Sequence, residues 1–345
     1  MELKYAKGFR VRTIRYGIRL VDIADPTDKH KQEPYRLALV PRGVSVQEVP
    51  DDYSIHITVP VKRVLPMSTE FLSHFIALDA IDYVTAITSV RHLKNKEVNE
   101  RVKQGRIARI GYEGSFDLET VLAARPDLVF ISPFKKGGYD VIRQAGVPLV
   151  PVLLFKEQTP LGQAEWIKFF ALFIGKEQQA DRWFSEVARQ YNFLKKLASR
   201  TSQRPTVFAG ELRNSSWFIM GSRSYLAKMI RDAGARYIPD NDESTGGHPI
   251  DYEALLRMAA HADYWRLLKS YPGKFSYQAL QEMDTRTVNF DAFRRHKVVY
   301  CNMGSSGYHE WASIRPDWLL ADFIYAFHPN LLPRHHPRFY AVLSS

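Results

Sequence analysis

The chain has little cysteine and no long apolar run. Cys301 is the single cysteine among 345 residues, which excludes an internal disulfide and a metal cage built from cysteines. No apolar stretch approaches the roughly 18 residues that a membrane span needs. Residues 1–17 lack the apolar core of an export signal, so we expect either a cytosolic protein or one whose export segment has been removed. Phosphate loops, nucleophile elbows and the His-Glu-x-x-His motif are also absent, and this disfavours an enzyme.

Positive charge is in excess, with 48 Lys and Arg against 37 Asp and Glu and a net charge of +11. This balance favours an anionic partner, such as nucleic acid, a lipid surface or an acidic small molecule. Acidic residues are interspersed throughout, and there is no arginine-rich arm or finger spacing, so nucleic acid is not expected. The 11 histidines provide no set of three or four ligands at the predicted strand ends. A bound metal ion is therefore not expected either.

The hydrophobic pattern changes along the chain. Residues 1–60 alternate polar and apolar positions, which predicts an extension of half-buried antiparallel strands. Strand and helix patterns alternate over residues 61–160 and again over 204–345, which predicts two α/β lobes with parallel, Rossmann-like sheets. Between them, residues 161–203 are predicted to be helical, and an apolar stripe from Ala180 to Leu197 predicts one long bridging helix over 177–200. The predicted fold class is therefore α/β, with two lobes joined by a long backbone helix.

Several segments resemble a known family. Residues 110–129 read Ile-Gly-Tyr-Glu-Gly-Ser-Phe-Asp-Leu-Glu-Thr-Val-Leu-Ala-Ala-Arg-Pro-Asp-Leu-Val, a glycine-led loop followed by a helix and a strand. Residues 63–72, 251–256 and 327–332 occur in the same order as comparable family segments. Together they resemble the class III substrate-binding proteins of ABC importers for iron chelates, haem and cobalamin. The resemblance covers about residues 61–333 and implies two lobes that bind a ligand in the cleft between them.

Loops at the carboxyl ends of parallel strands are the expected place for a ligand. Aromatic side chains there would form flat apolar walls for a macrocycle or a catechol. The candidates are Tyr112, Phe134, Tyr139, Trp217, Phe218, Tyr308 and Trp311. Trp217 and Trp311 are favoured because glycine, serine and charged residues surround them, leaving little local core to join. The competing interpretation is that each ring packs on its own lobe.

Cations in the same loops would recognise anionic groups of the ligand. The candidates are Arg91, Lys135, Lys136, Arg213 and Arg315. Solvated surface is the alternative for the lysines, and a structural salt bridge is the alternative for Arg315. His309 or Tyr308 would coordinate the iron of a bound haem or chelate. In hydroxamate-siderophore binders the loop after the family's glycine carries an arginine, whereas this chain has Tyr112 and Glu113, which disfavours that class of chelate.

The resemblance also implies one exposed carboxylate on each lobe that docks onto arginines of the membrane permease. Glu253 matches this place in Asp-Tyr-Glu-Ala-Leu-Leu, and Asp140 is our choice in the first lobe. The alternative is that both residues only stabilise the first turn of a helix.

These observations predict a solute-binding component of an ABC importer. It would capture a ferric siderophore or haem and deliver it to a permease in the inner membrane, as a periplasmic monomer, free or lipid-anchored, without a cofactor of its own. Cobalamin is the alternative ligand, although it carries less negative charge than a ferric catecholate. The alternative of another class is a chelatase-like enzyme that uses His309 and Glu310 as an acid and base pair.

Overall fold

A computed structural model describes residues 1–28, 30, 32–89, 91, 93–135, 137–213 and 216–344, with only the backbone of Arg213. The chain forms two compact units. The first unit contains Met1–Glu157, Leu161–Ser185 and His309–Ile314. The second contains Gln158–Pro160, Glu186–Tyr308 and Arg315–Ser345. The units have mixed α/β structure, which confirms the predicted fold class.

Strands and helices alternate along most of the chain after an opening run of strands. The strands are β1 Phe9–Thr13, β2 Arg19–Ile23, β3 Tyr35–Pro41, β4 Ile55–Val59, β5 Val64–Pro66, β6 Ala86–Ile87, β7 Ala108–Arg109, β8 Gly111–Tyr112, β9 Ser115–Phe116, β10 Leu128–Ile131, β11 Leu149–Pro151, β12 Thr206–Ala209, β13 Glu211–Arg213, β14 Ser216–Met220, β15 Arg236–Ile238, β16 Gly247–Ile250, β17 Tyr264–Lys269, β18 Val298–Asn302 and β19 Ala341–Val342. The α-helices are α1 Thr69–Ala77, α2 Lys96–Lys103, α3 Leu118–Ala123, α4 Tyr139–Gln144, α5 Pro160–Glu165, α6 Ile167–Ile174, α7 Glu177–Ala198, α8 Tyr225–Asp232, α9 Tyr252–Ala259, α10 Tyr277–Met283, α11 Asp291–Arg294, α12 Tyr308–Trp311 and α13 Pro316–Phe327.

The first four strands form a separate sheet in the order β1-β2-β3-β4. Pairing is antiparallel from β1 to β3, as predicted, but β3 and β4 are parallel, so the expectation of a wholly antiparallel extension was wrong. The buried Phe9 of this sheet lies 4.8 Å from the Trp166 ring and 5.2 Å from the Phe169 ring. The sheet therefore covers α6, and we call β1–β4 the added sheet.

Helix α6 is buried on all sides because a second sheet packs against its other face. This parallel sheet has the order β11-β10-β5. Phe130, in its central strand, lies 4.8 Å from Phe170 and 5.1 Å from Phe173. The first unit is thus layered as the added sheet, α6 and the parallel sheet.

The second unit contains a five-stranded sheet in the order β15-β12-β17-β18-β19. Its first four strands are parallel, and β19 adds an antiparallel edge. A smaller antiparallel sheet, β13-β14-β16, packs against it through Trp217 and Trp265, whose rings are 5.3 Å apart. The fully buried Asp322 in α13 accepts hydrogen bonds from the His335 ring at 2.7 Å and from backbone N–H groups of residues 338–340, which fixes the C-terminal segment.

The predicted long helix is confirmed. Helix α7 is one uninterrupted element of 22 residues, about 33 Å long at 1.5 Å per residue, and it ends at Ala198 rather than at Arg200. Residues up to Ser185 belong to the first unit and residues from Glu186 to the second. Within the described part of the chain, no helix combines the length and apolar character needed to cross a bilayer.

Candidate functional site

A β-hairpin with a two-residue turn presents Tyr112 at the surface of the first unit. Strands β8 and β9 pair Gly111 with Phe116 and Tyr112 with Ser115. Gly111 has φ +96°, and a Cβ atom there would lie 2.9 Å from the Ser115 carbonyl oxygen, so the hairpin requires glycine at this position. The Tyr112 side chain is 61% exposed. The structure therefore places this predicted ligand residue where a bound molecule can reach its phenol.

The hairpin is fastened by Glu113. Its carboxylate accepts hydrogen bonds from the Ser132 backbone N–H at 2.7 Å, the Ser132 hydroxyl at 2.9 Å and the Tyr139 hydroxyl at 3.0 Å. Burial, together with the neighbouring Glu113 charge, raises the pKa of Tyr139, so this phenol remains a donor. Glu113 thus joins the hairpin to the loop after β10.

The loop after β10 carries two further predicted residues, both exposed. The Phe134 ring is 56% exposed and stands edge-on to Phe155 with 4.7 Å between ring centroids. The Lys135 ammonium lies 5.5 Å from the centre of the Phe134 ring. An apolar ring and a cation therefore lie at the carboxyl end of β10, where α/β proteins bind ligands. Tyr139, by contrast, is buried against Phe116 at 5.6 Å.

The structure describes the side-chain surroundings of two of the four remaining predicted cations. Arg91 is exposed, and its backbone N–H donates to the Ser89 hydroxyl at 3.2 Å. The side chain of Arg213 and the whole of Lys136 lie outside the described residues. Arg315 forms a two-pronged ion pair with Asp317 at 2.8 and 2.5 Å, and its guanidinium lies 3.8 Å above the Trp318 ring. The structure thus shows that Arg315 forms a structural salt bridge, which the sequence analysis gave as the alternative to ligand binding.

Trp217 was expected to line the ligand site because it lacked a local core, and this was wrong. The side chain is 1% exposed and its indole N–H donates to the Ala209 carbonyl at 3.1 Å. It packs against Trp265 at 5.3 Å and Phe290 at 5.6 Å, which are distant in sequence. Phe218 follows it on the strand, points to the opposite face and is half-buried.

Tyr308 also belongs to a core rather than to a ligand surface. It is 8% exposed, and its ring stands edge-on to Phe339 and to Tyr340, each at 6.1 Å. Burial raises the pKa of Tyr308 well above its ordinary value, so the phenol remains protonated. Tyr308 was expected to coordinate iron, and the structure corrects this expectation because the side chain is packed inside the second unit.

The segment His309–Ile314 belongs to the first unit, and His309 and Trp311 are half-buried in it. Between them, the buried Glu310 carboxylate accepts hydrogen bonds from the backbone N–H groups of Lys94 and Asn95, the latter at 2.9 Å. Burial raises the pKa of Glu310, and these N–H groups partly oppose the shift. Glu310 thus anchors the chain before α2, which disfavours its use as a catalytic base.

A half-buried acid that the sequence reasoning missed, Glu70, lies at the start of α1, next to the carboxyl end of β5. Burial raises the pKa of Glu70 to about 7, while the Ser313 hydroxyl lowers it. One turn later, burial lowers the pKa of His74 to about 3, and its ring stacks on Phe170 at 4.2 Å. Perturbed groups near a ligand edge are candidates for function, and a polar residue after a buried strand is the signal that could have found Glu70.

The expected docking carboxylates are both exposed. Asp140 forms an ion pair with Arg143 at 2.7 Å on α4. Glu253 lies in the first turn of α9, where Asp251 accepts hydrogen bonds from the N–H of Glu253 at 2.9 Å and of Ala254 at 3.2 Å.

Helix α3 repeats the arrangement seen at Glu253. Asp117 accepts from the N–H of Glu119 at 3.0 Å and of Thr120 at 3.3 Å, and Glu119 is exposed. Glu119 is therefore a closer structural counterpart of Glu253 than Asp140 is. The repeated Asp-x-Glu pattern was the sequence signal for it.

Residues 69–303 match the family model described as periplasmic binding protein, and this chain belongs to that family. Two uncharacterized lipoproteins of Methanocaldococcus jannaschii are relatives. One is 26% identical over 85% of this chain and 71% of its own length, and the other is 27% identical over 80% and 72%.

Solved structures share the fold. A periplasmic heme-binding protein from Pseudomonas aeruginosa aligns with a TM-score of 0.63 at 18% identity, covering 83% of this chain and 99% of that one. The periplasmic heme-binding protein RhuT from Roseiflexus sp. aligns with a TM-score of 0.59 at 21% identity, covering 78% and 100%. The TroA-like periplasmic binding protein FepB from Veillonella parvula gives 0.58 at 15% identity, covering 81% and 88%. These likenesses show that the chain shares the fold of these periplasmic binding proteins.

Proposed function

We propose that this protein binds an iron chelate, with haem as the first candidate, on the edge of the first unit that carries Tyr112 and Phe134. The observation that carries the proposal is the Tyr112 phenol, which is 61% exposed on a hairpin that Glu113 holds in place. Solved relatives in fold whose names state heme binding support the same ligand class.

The chemistry of the exposed residues fits such a ligand. A tyrosine oxygen is one of the groups by which proteins hold haem iron. The Phe134 ring offers a flat apolar surface on the loop that Glu113 joins to the hairpin, and Lys135 and Arg91 are exposed cations for propionate or catecholate groups. The fastening of the hairpin means that little ordering remains to be done when the ligand binds, which favours affinity.

The partner in this proposal is an ABC permease. Glu253 and Glu119 are two exposed carboxylates with the same position at a helix start, and they would dock onto permease arginines, with Asp140 as the alternative in the first unit. The relatives named as lipoproteins support a location outside the cytoplasm with a lipid anchor.

An absorbance titration tests the ligand. Haemin, a ferric catecholate and cyanocobalamin would be added separately to the purified protein and to the variants Tyr112→Phe and Tyr16→Phe. Tyr16 is an exposed tyrosine of the added sheet's first turn and serves as the matched control. We expect saturable binding of haemin that weakens at least about tenfold in Tyr112→Phe, since even changes to outer-shell partners cost about 10- to 100-fold in metal affinity.

The control variant should bind haemin as the unaltered protein does. Failure of the unaltered protein to bind haemin or the ferric catecholate would contradict the proposal. Binding of cyanocobalamin alone would support the cobalamin alternative instead.

A further inference from the structure

We propose that the added sheet supplies a wall of the ligand site, so that the site also accepts chelates that carry an aromatic arm beyond the metal-binding ring. This inference rests on the proposed function and concerns the same edge of the first unit. The four-stranded added sheet lies outside residues 69–303, the segment that matches the family model. The inference gives this sheet a role in ligand specificity.

The wall borders a groove of about 390 Å³ within the first unit. One side comes from the segment between β2 and β3, with Ile23 and Tyr35 at its ends. The other side comes from the loops after β10 and β11, with Phe134 and Phe155. Tyr35 is 45% exposed, so two large aromatic rings, Tyr35 and Phe134, are open to solvent in one groove. Rings left open in this way are typical of a surface that binds an apolar partner.

The groove is formed before any ligand binds. The Lys156 ammonium pairs with Asp25 at 2.8 Å and so joins the two sides. Burial tends to raise the pKa of Asp25, but the hydrogen bonds from Lys156 and Thr27 outweigh it and hold the pKa below its usual value. At the base of the added sheet, Glu157 accepts hydrogen bonds from the N–H groups of Lys7 and Gly8, both at 2.8 Å.

The carboxylates on the rim already have partners among the described residues. Asp25 pairs with Lys156, as stated above. Asp28 accepts hydrogen bonds from the backbone N–H of His30 at 2.8 Å and of Gln32 at 2.9 Å. Glu33 pairs with Arg36 at 3.3 Å. Within the described part of the chain, no group of three or more His, Cys, Asp or Glu is placed to hold a metal ion. These three carboxylates are therefore engaged within the protein.

The groove shares Phe134 with the proposed ligand site. Glu113 ties the hairpin to Ser132, which begins the loop that carries Phe134. Phe134 in turn contacts Phe155 at 4.7 Å, and both rings line the groove. A chelate whose metal binds Tyr112 would extend a substituent along Phe134 toward Tyr35.

Two iron porphyrins test the inference. Haemin has small substituents, whereas iron(III) tetrakis(4-carboxyphenyl)porphyrin has aryl arms that extend beyond the ring. Dissociation constants for both would be measured with the unaltered protein, Tyr35→Ala and the matched control Tyr16→Ala. We expect Tyr35→Ala to weaken the arylporphyrin by about two- to tenfold, which is the range for losing one aromatic pair, and haemin by less. Tyr16→Ala should leave both constants unchanged.

The outcomes separate the two proposals. If neither porphyrin binds the unaltered protein, the proposed function fails. If haemin alone binds, or if both bind and Tyr35→Ala leaves the ratio of their affinities unchanged, the proposed function stands and this inference is overturned. An equal loss in Tyr16→Ala would also overturn it, since the effect would then not be local. Thermal unfolding of each variant, followed by circular dichroism, checks that the fold is retained.

Discussion

The Glu113 carboxylate is the junction between the Tyr112 hairpin and the loop that carries Phe134. Glu113→Gln keeps the size of the side chain but replaces an acceptor oxygen with an amide donor. That donor would face one of the three groups that now donate to Glu113, at 2.7, 2.9 and 3.0 Å. Hydrogen bonds to a charged group contribute about 1.5–3 kcal/mol each, and we take the lower end because Glu113 is only half-buried. The interaction of Glu113 with Tyr139 should therefore be worth about 1.5 kcal/mol.

A double-mutant cycle measures this interaction. Free energies of unfolding in urea would be determined for the unaltered protein, Glu113→Gln, Tyr139→Phe and the double variant. A coupling energy below about 0.3 kcal/mol, the level at which independent sites add, would refute the reasoning. Haemin affinity supplies a second readout, because Glu113→Gln should also loosen the position of Tyr112. Glu119→Gln, which removes an exposed carboxylate in the neighbouring helix α3, should leave haemin affinity unchanged.

Three further predictions concern the carboxylates of Glu165, Glu70 and Asp322. The fully buried Glu165 accepts hydrogen bonds from the backbone N–H of residues 4–6 and pairs with Lys168 at 3.1 Å. Glu165→Ala should therefore lower the free energy of unfolding in urea by about 3–5 kcal/mol. A loss under about 0.5 kcal/mol would contradict this prediction. Because the pKa of Glu70 is raised from 4.5 to about 7, the unaltered protein should lose stability as pH rises between these values. Glu70→Gln should then melt at a higher temperature than the unaltered protein at about pH 8 but not at about pH 4. A difference in melting temperature that is the same at both pH values would contradict the raised pKa. Asp322→Asn should speed hydrogen exchange at the N–H groups of residues 338–340 by at least about fivefold. The reason is that each N–H loses part of a charge-assisted hydrogen bond worth about 1 kcal/mol or more. Unchanged exchange would show that other contacts fix the segment.

Much of the fold could be predicted because its signals are local. Ser68 precedes an apolar helix and caps α1 through the N–H of Phe71, as the sequence indicates. The apolar stripe of α7 likewise lies within one segment. The pairing of β3 with β4 could not be predicted, because polar and apolar residues alternate in parallel and antiparallel strands alike. The short strands β13, β14 and β16 were also missed, since their stability comes from packing against distant residues such as Trp265.

The candidate site likewise combines features that local sequence signals predict with features that only the fold creates. Tyr112 and Phe134 were predicted from their place after buried strands, and the structure exposes both. Trp217 was misjudged because its neighbours in sequence are small and polar while its neighbours in space are aromatic. The role of Glu113 in fastening the hairpin could not be deduced, because its partners Ser132 and Tyr139 are brought to it only by the fold. Glu119, in contrast, was open to prediction from the repeated Asp-x-Glu pattern.

The central claim is that the Tyr112 oxygen holds the iron of a bound chelate. Resonance Raman spectra of the haemin complex, excited in the tyrosinate-to-iron charge-transfer band, test it directly. We predict tyrosinate vibrations in the complexes of the unaltered protein and of Tyr16→Phe, and their loss in Tyr112→Phe. Tyrosinate vibrations that persist in Tyr112→Phe, or a haemin complex that never shows them, would contradict the claim.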